Sequence, residues 1–368
     1  MARRAKLAEV EETNPDHPRL ATSLLGHHSQ EQTFLDAFNA SRMHHAWLLH
    51  GAKGIGKATF AYRAARFLMS EGASNAADSL FGDAAPPQSL DASPDHRAVR
   101  LIIAGSHPDL FALEASRKTP RGPATIAVDD VRTLIESTHL TIADGGWRVV
   151  IIDATDNLNR SSANTLLKLI EEPPPRTVLF IISHQVGGVL PTIRSRCLRL
   201  PFAGIEDQDV ARILAARRPD ADTDAIGQAV RLSAGSPGRG IALLDGGGSG
   251  IVDALAEVLE GRRGEGGLKA EAFAALVAKD PFHYAIAGEA LTAWLAGAAR
   301  PADAAPVAGM TEALTLQARH AARLGPKPWL DLYQHAATRM ERTSAVNLDP
   351  VQVLVDILLR IQALLARA

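Results

Sequence analysis

One cysteine, Cys197, stands in 368 residues, which excludes an internal disulfide and a multi-cysteine zinc site. Aromatic residues make up only 5 % of the chain. Charge of neither sign dominates: 39 Lys and Arg against 41 Asp and Glu give a net charge of −2, so the chain is no general polycation. Any contact with nucleic acid must then be local or supplied mainly by partners. No run approaches the ~20 apolar residues that cross a bilayer. The basic start Met1–Lys6 leads into Glu9, Glu11 and Glu12 rather than an apolar stretch, so no signal peptide is expected. These absences fit a protein without a membrane segment in a reducing cytoplasm.

What is present is ordinary for a globular protein: 46 % hydrophobic and 22 % charged residues, rich in Ala and Leu, long enough for two or three domains. His45–His50 reads as a strand, followed by a glycine-rich turn and a helix through Phe60, Ala64, Phe67 and Leu68. Residues 72–95, rich in Ala, Ser, Asp and Pro, read as a flexible insertion. Order is expected to resume at Leu101–Ile103 and the turn Ser106–Asp109. The spacing of Val128, Val131, Leu134 and Ile135 predicts a helix to Leu140. A strand over Trp147–Ile152, a helix over Ser161–Glu172 stopped by Pro173–Pro175, and a strand over Val178–Ile182 follow. Strands alternating with helices predict a parallel α/β sheet covered on both faces.

Beyond Pro201 the strand signals stop. Asp207–Leu243 reads as two or three short helices, and Gly246–Gly250 as a flexible linker. Helical patterns fill the rest, the last opening at Asp349–Pro350 with a stripe of Leu354, Ile357, Leu358, Ile361, Leu364 and Leu365. The expected organisation is an α/β phosphate-loop domain over 1–201, a small helical lid over 202–249 and a helical bundle over 250–368. Periodicity alone leaves open whether the final stripe is an oligomerisation surface or a self-contained core.

The segment from Gly51 to Ala58 carries Gly51, Gly54, Gly56 and Lys57 at the spacing of a phosphate-binding loop. Glycines let backbone N–H groups surround phosphate oxygens, the helix N-terminus adds partial positive charge, and the lysine reaches the outer phosphates. The bland alternative is a glycine-rich turn with a surface lysine. Ala58 stands where such a loop has the Ser or Thr that ligates Mg²⁺. Asp153 ends an apolar strand, as a metal-binding aspartate does, though it could merely cap the strand. Ala154 follows it, where a hydrolysing enzyme has a glutamate to orient water, and a methyl group cannot do this. Two positions serving Mg²⁺ and water activation are lost, which argues against hydrolysis. Taken alone, two loop arginines such as Arg194 and Arg196 are usually just solvated surface.

Several motifs in order carry a resemblance: Arg42–Trp47, the phosphate loop, Gly105–Asp109, Ser162–Lys168 with Glu171–Pro174, Ser195–Cys197 and Gly235–Gly238. The chain resembles the AAA+ clamp-loader family of bacterial DNA polymerase III, in its delta-prime branch. The resemblance spans roughly residues 20 to 245 by motif and the rest by pattern only. It implies a pentamer that uses ATP to open the sliding clamp and place it on primed DNA, with gamma or tau ATPase subunits and a delta subunit as partners. It also implies that Arg196 reaches a neighbouring subunit's nucleotide as an arginine finger, an effect worth ~10³ to 10⁵ in rate where such fingers are measured. Ser183 stands where the family places a nucleotide-sensing residue. Arg239 is displaced by one from a second sensor position and is given no nucleotide contact. The four-cysteine zinc module of many relatives is missing from the 72–95 interval.

The resemblance therefore implies a subunit that does not hydrolyse ATP, with ATP binding possible at Gly51, Gly54, Gly56, Lys57, Asp153 and Ser183, and a bundle that serves as the oligomerisation collar. The alternative is the ATP-hydrolysing motor subunit, against which Ala58, Ala154 and the expected lack of a long extension after the last helix speak. An unrelated phosphate-loop kinase would leave Ser195–Cys197 and the helical third unexplained.

Overall fold

The computed structural model describes residues 14–74, 86–117, 124–140, 142, 146–260, 266–305, 307, 310–345 and 348–367. The chain divides into two compact units, Met1–Ile205 and Glu206–Ala368.

In the first unit, α1 (His28–Asn39), β1 (Ala46–His50), α2 (Lys57–Ser74) and α3 (Arg97–Ile103) lead to β2 (Leu110–Glu114). A small antiparallel pair, β3 (Ser116–Arg117) and β4 (Ala124–Thr125), precedes α4 (Val128–Thr138) and β5 (Arg148–Asp153). Then come α5 (Arg160–Glu171), β6 (Thr177–Ser183), α6 (Pro191–Arg194) and β7 (Leu198–Pro201). The main sheet has the order β2-β5-β6-β1-β7, and every neighbouring pair is parallel.

Both faces are covered along the central strands β1, β5 and β6, whose buried runs are mostly apolar. Side chains alternate between the two faces with a period of two. Trp47, Leu49, Val149, Ile151, Val178 and Phe180 pack with Phe34 of α1 and Phe60 and Phe67 of α2. Leu48, Val150, Ile152, Leu179 and Ile181 pack with Val131 and Leu134 of α4 and Leu166 and Leu169 of α5. Strand β2 is not expected from the sequence; it is the sheet edge, only partly buried, and its short run Leu110–Glu114 carries little signal.

The interval 72–95 divides three ways. Residues 72–74 close α2, and 75–85 lie outside the described residues. The remainder is held to the unit: Leu90 is buried, Arg63 donates to Asp91 at 2.8 Å, and Asn39 Nδ2 donates to the Pro87 carbonyl at 3.0 Å.

The second unit is helical: α7 (Asp207–Arg217), α8 (Thr223–Ser233), α9 (Pro237–Asp245), α10 (Gly248–Leu259), α11 (Gly266–Val277), α12 (Pro281–Ala298), α13 (Glu312–Ala321), α14 (Pro326–Ala345) and α15 (Pro350–Leu365). It spans both of the expected helical parts. The glycine run is not a flexible linker. Gly248 already opens α10, and Gly247 adopts φ +64° to turn the chain between α9 and α10. A Cβ on Gly246 would meet the Phe282 ring, and one on Gly248 the Leu243 side chain. These glycines serve close packing. In α15, Asp349 accepts from the Val351 N–H at 2.9 Å as an N-cap, and Leu354, Ile357, Leu358 and Ile361 are buried in the unit itself. The stripe is a core.

The first unit also holds a buried ion pair. Arg148, 2 % exposed at its side chain, donates to Asp109 Oδ1 at 3.2 Å and to the Leu140 carbonyl at 2.7 Å, and bonds the Thr138 carbonyl. It ties the turn before β2 to the end of α4. Removing one partner leaves an uncompensated buried charge. Asp109→Ala is expected to cost about 3–5 kcal/mol in urea unfolding, and a loss below about 1 kcal/mol would show that the pair is not what holds this corner.

Candidate nucleotide-binding loop and the cleft at Arg196

Strand β1 delivers the glycine turn to the start of α2, as a phosphate loop requires. Gly51, Gly54 and Gly56 have φ of +148°, +77° and +110°. At Gly51 a Cβ would also collide with the Phe202 carbonyl, so only glycine fits. Beneath the loop, the buried His27 bonds the Ile55 carbonyl through Nε2 at 2.6 Å, and burial pushes its pKa down, favouring the neutral ring.

Lys57 is buried and folded onto its own loop, donating to the Gly51 and Ala52 carbonyls at 2.7 and 2.5 Å. Burial brings its pKa down to about 8, against the pull of Asp153 and Asp156. Burial and then the charge of Glu114 push Asp153 up to about 6. Glu114 is its register partner on β2, held by His17 Nε2 at 3.0 Å. The backbone cradle and the lysine suit a phosphate group. Neither Ala58 nor Ala154 supplies a side-chain oxygen, and Ala154 is buried at 1 % exposure. Among the described residues no cluster of three or more His, Cys, Asp or Glu side chains is placed to hold a metal ion.

Ser183 ends β6 beside the loop, its carbonyl accepting from the Gly51 N–H at 3.3 Å. Its hydroxyl donates to Asp156 Oδ1 at 3.3 Å, and Asp156 also accepts from the backbone N–H groups of His184 and Gln185 at 2.7 and 3.2 Å. Asp156, which the sequence reading passed over, thus anchors this strand end. Arg239 forms an ion pair with Glu289 inside the helical unit.

Arg196 belongs to a different place. Leu198 at the start of β7 sits opposite Trp47 on β1, and the two strands run parallel. Gly51 lies four residues past Trp47, or ~13 Å along the strand, and Arg196 lies two residues upstream of Leu198. The arginine and the phosphate loop are therefore at opposite ends of the sheet. The Arg196 side chain is 43 % exposed; its Nε donates to Glu171 Oε1 at 2.9 Å and its Nη1 to the Thr192 carbonyl at 3.2 Å. It lines an open cleft of about 400 Å³ with His44, His45, Ile170, Glu171 and Cys197. Burial pushes the Cys197 thiol up to about 12, so it is no nucleophile here.

Residues 26–206 match the family described as DNA polymerase III, delta subunit. The delta-prime subunit of DNA polymerase III from Pseudomonas aeruginosa is 36 % identical over 221 residues, 59 % of this chain and 60 % of that protein. The corresponding subunit of Escherichia coli K12 is 32 % identical over 210 residues, 57 % of each chain. The tau subunit from the same organism is 28 % identical over 194 residues, 52 % of this chain and 27 % of that protein. The matched stretch spans about three fifths of the length of the delta-prime relatives. The stretch that forms its α/β unit matches the DNA polymerase III delta-subunit family, and the chain is similar there to delta-prime members.

Proposed function

We propose that this chain is a clamp-loader subunit that does not hydrolyse ATP. It braces the loader and lends Arg196 to the nucleotide site of a neighbouring gamma or tau ATPase subunit, while the sliding clamp is placed on primed DNA in the cytoplasm. One observation carries the reading. The only arginine of the Ser195–Cys197 motif is exposed at the sheet end remote from its own phosphate loop, so any phosphate it serves must be another chain's.

The missing groups agree. With Ala58 the loop has no hydroxyl for Mg²⁺, and with Ala154 no carboxylate to orient water, so the chain's own site can hold a nucleotide without turning it over. Gly51, Gly54, Gly56 and Lys57 are the residues that would hold the phosphates of ATP, with Asp153 and Ser183 beside them. In the neighbour's site, the guanidinium would offset charge developing on the transferred phosphoryl group. Helices α10–α15 would serve as the collar. Leu268, Leu276, Leu316, Leu330 and Leu359 are left exposed there for contacts, while the α15 stripe is used internally. The similarity to tau keeps the motor reading as the alternative, but tau-like hydrolysis would need oxygens that this loop does not have.

The isolated chain is expected to show no sustained ATP turnover in a steady-state phosphate-release assay; turnover that disappears in Lys57→Ala would establish the motor instead. If nucleotide binds, phosphate contact favours the charged lysine, so binding takes up a proton once free Lys57 is neutral. Affinity measured by calorimetry should fall by up to about tenfold per pH unit above about pH 8 relative to its value near pH 7. A flat profile to about pH 9 would remove Lys57 from the contact. In the reconstituted loader, Arg196→Ala should leave the subunit folded and lower ATP turnover roughly several-fold, only one of several sites being affected; an unchanged rate would remove the finger.

A further inference from the structure

We propose that Glu171 is a positioning residue for Arg196: its carboxylate holds the guanidinium by Nε, so that the plane of the fork is already oriented. This deepens the finger assignment and rests on it.

Glu171 stands at the end of a helix that does not favour its charge. It is the last residue of α5, and Glu172 caps the helix. The C-terminus of a helix carries partial negative charge and disfavours carboxylates, so two consecutive glutamates are misplaced by local electrostatics. Asn159 caps the other end of the helix well, its Oδ1 accepting from the Ser162 N–H at 2.8 Å. A local rule broken in an otherwise well-formed helix points to a role beyond the helix.

The cation that answers Glu171 is Arg196, at 2.9 Å through Nε. Both side chains are about half exposed, 43 % and 46 %, and a surface pair of this kind contributes little to stability. Its effect lies in orientation. An arginine fork has five N–H donors in one plane, so fixing Nε by Glu171 and Nη1 by the Thr192 carbonyl fixes the plane. The anchor is itself anchored: His45 at the foot of β1 bonds the Ile170 carbonyl through Nε2 at 3.0 Å, and Pro173 forbids the helix from extending. A flexible side chain is thereby held by rigid elements, α5 and the turn before β7.

The opposite possibility is that Glu171 competes with phosphate for the arginine and holds it back. The two differ in sign. Loaders reconstituted with Glu171→Ala, Glu171→Gln, Arg196→Ala and the double variant in this subunit should be compared in ATP turnover, with kcat and KM separated. Positioning predicts that Glu171→Ala lowers kcat by a factor no larger than Arg196→Ala does, with KM unchanged. Glu171→Gln, which keeps an acceptor for Nε, should restore most of the rate. Glu171→Ala should add nothing in the Arg196→Ala background. The melting temperature of the subunit should not move. A faster loader with Glu171→Ala or Glu171→Gln, an unchanged kcat beside a slow Arg196→Ala, or additive effects would each overturn the proposal. A normal rate with Arg196→Ala would instead overturn the finger on which it rests.

Discussion

Parallel pairing of β1 with β7 is the constraint on which the account depends. Parallel strands point their carboxyl ends the same way, so the loop after β1 and the loop before β7 must lie at opposite ends of the sheet. A chain with this topology cannot bring Arg196 to its own phosphate loop, whatever its side chains do. The retained arginine and the vacated positions 58 and 154 are then compatible. One end of the sheet carries Ala58 and Ala154 where a hydrolysing site needs a hydroxyl and a carboxylate, and the other presents the exposed Arg196, which the proposed function directs to a neighbour.

The phosphate loop also has reasons to persist that do not involve chemistry. Gly51 admits the Phe202 backbone, His27 packs on the Phe202 ring and bonds Ile55, and Lys57 satisfies two loop carbonyls. These contacts tie the ends of β1 and β7 to the start of α2. Buried polar groups need partners, and the loop supplies them internally. Retention of the glycines and the lysine therefore does not by itself imply turnover. The informative residues are Ala58 and Ala154, which satisfy packing and nothing else.

Much of this was legible in the sequence because it rests on periodicity and turn chemistry. The strands β1, β5 and β6 are apolar runs, α5 is stopped by three prolines, and α15 is opened by Asp349–Pro350. The edge strand β2 was not legible, since half-buried strands show neither a continuous run nor a clean alternation. The glycines at 246–248 mislead for a different reason: composition cannot distinguish a residue that is small for freedom from one that is small because Phe282 and Leu243 stand against it. Glu171, Asp156 and Glu114 were invisible as site residues because their meaning comes from register and from partners far along the chain. The position of Arg196 relative to the loop likewise exists only once β7 is paired with β1.

The central claim divides the two ends of one subunit, so the most direct measurement sets them against each other. ATP turnover should be recorded for loaders reconstituted with either Lys57→Ala or Arg196→Ala in this chain alone. The account predicts that the lysine variant turns over at the unsubstituted rate and the arginine variant does not. A loader slowed by the lysine variant and indifferent to the arginine variant would contradict it.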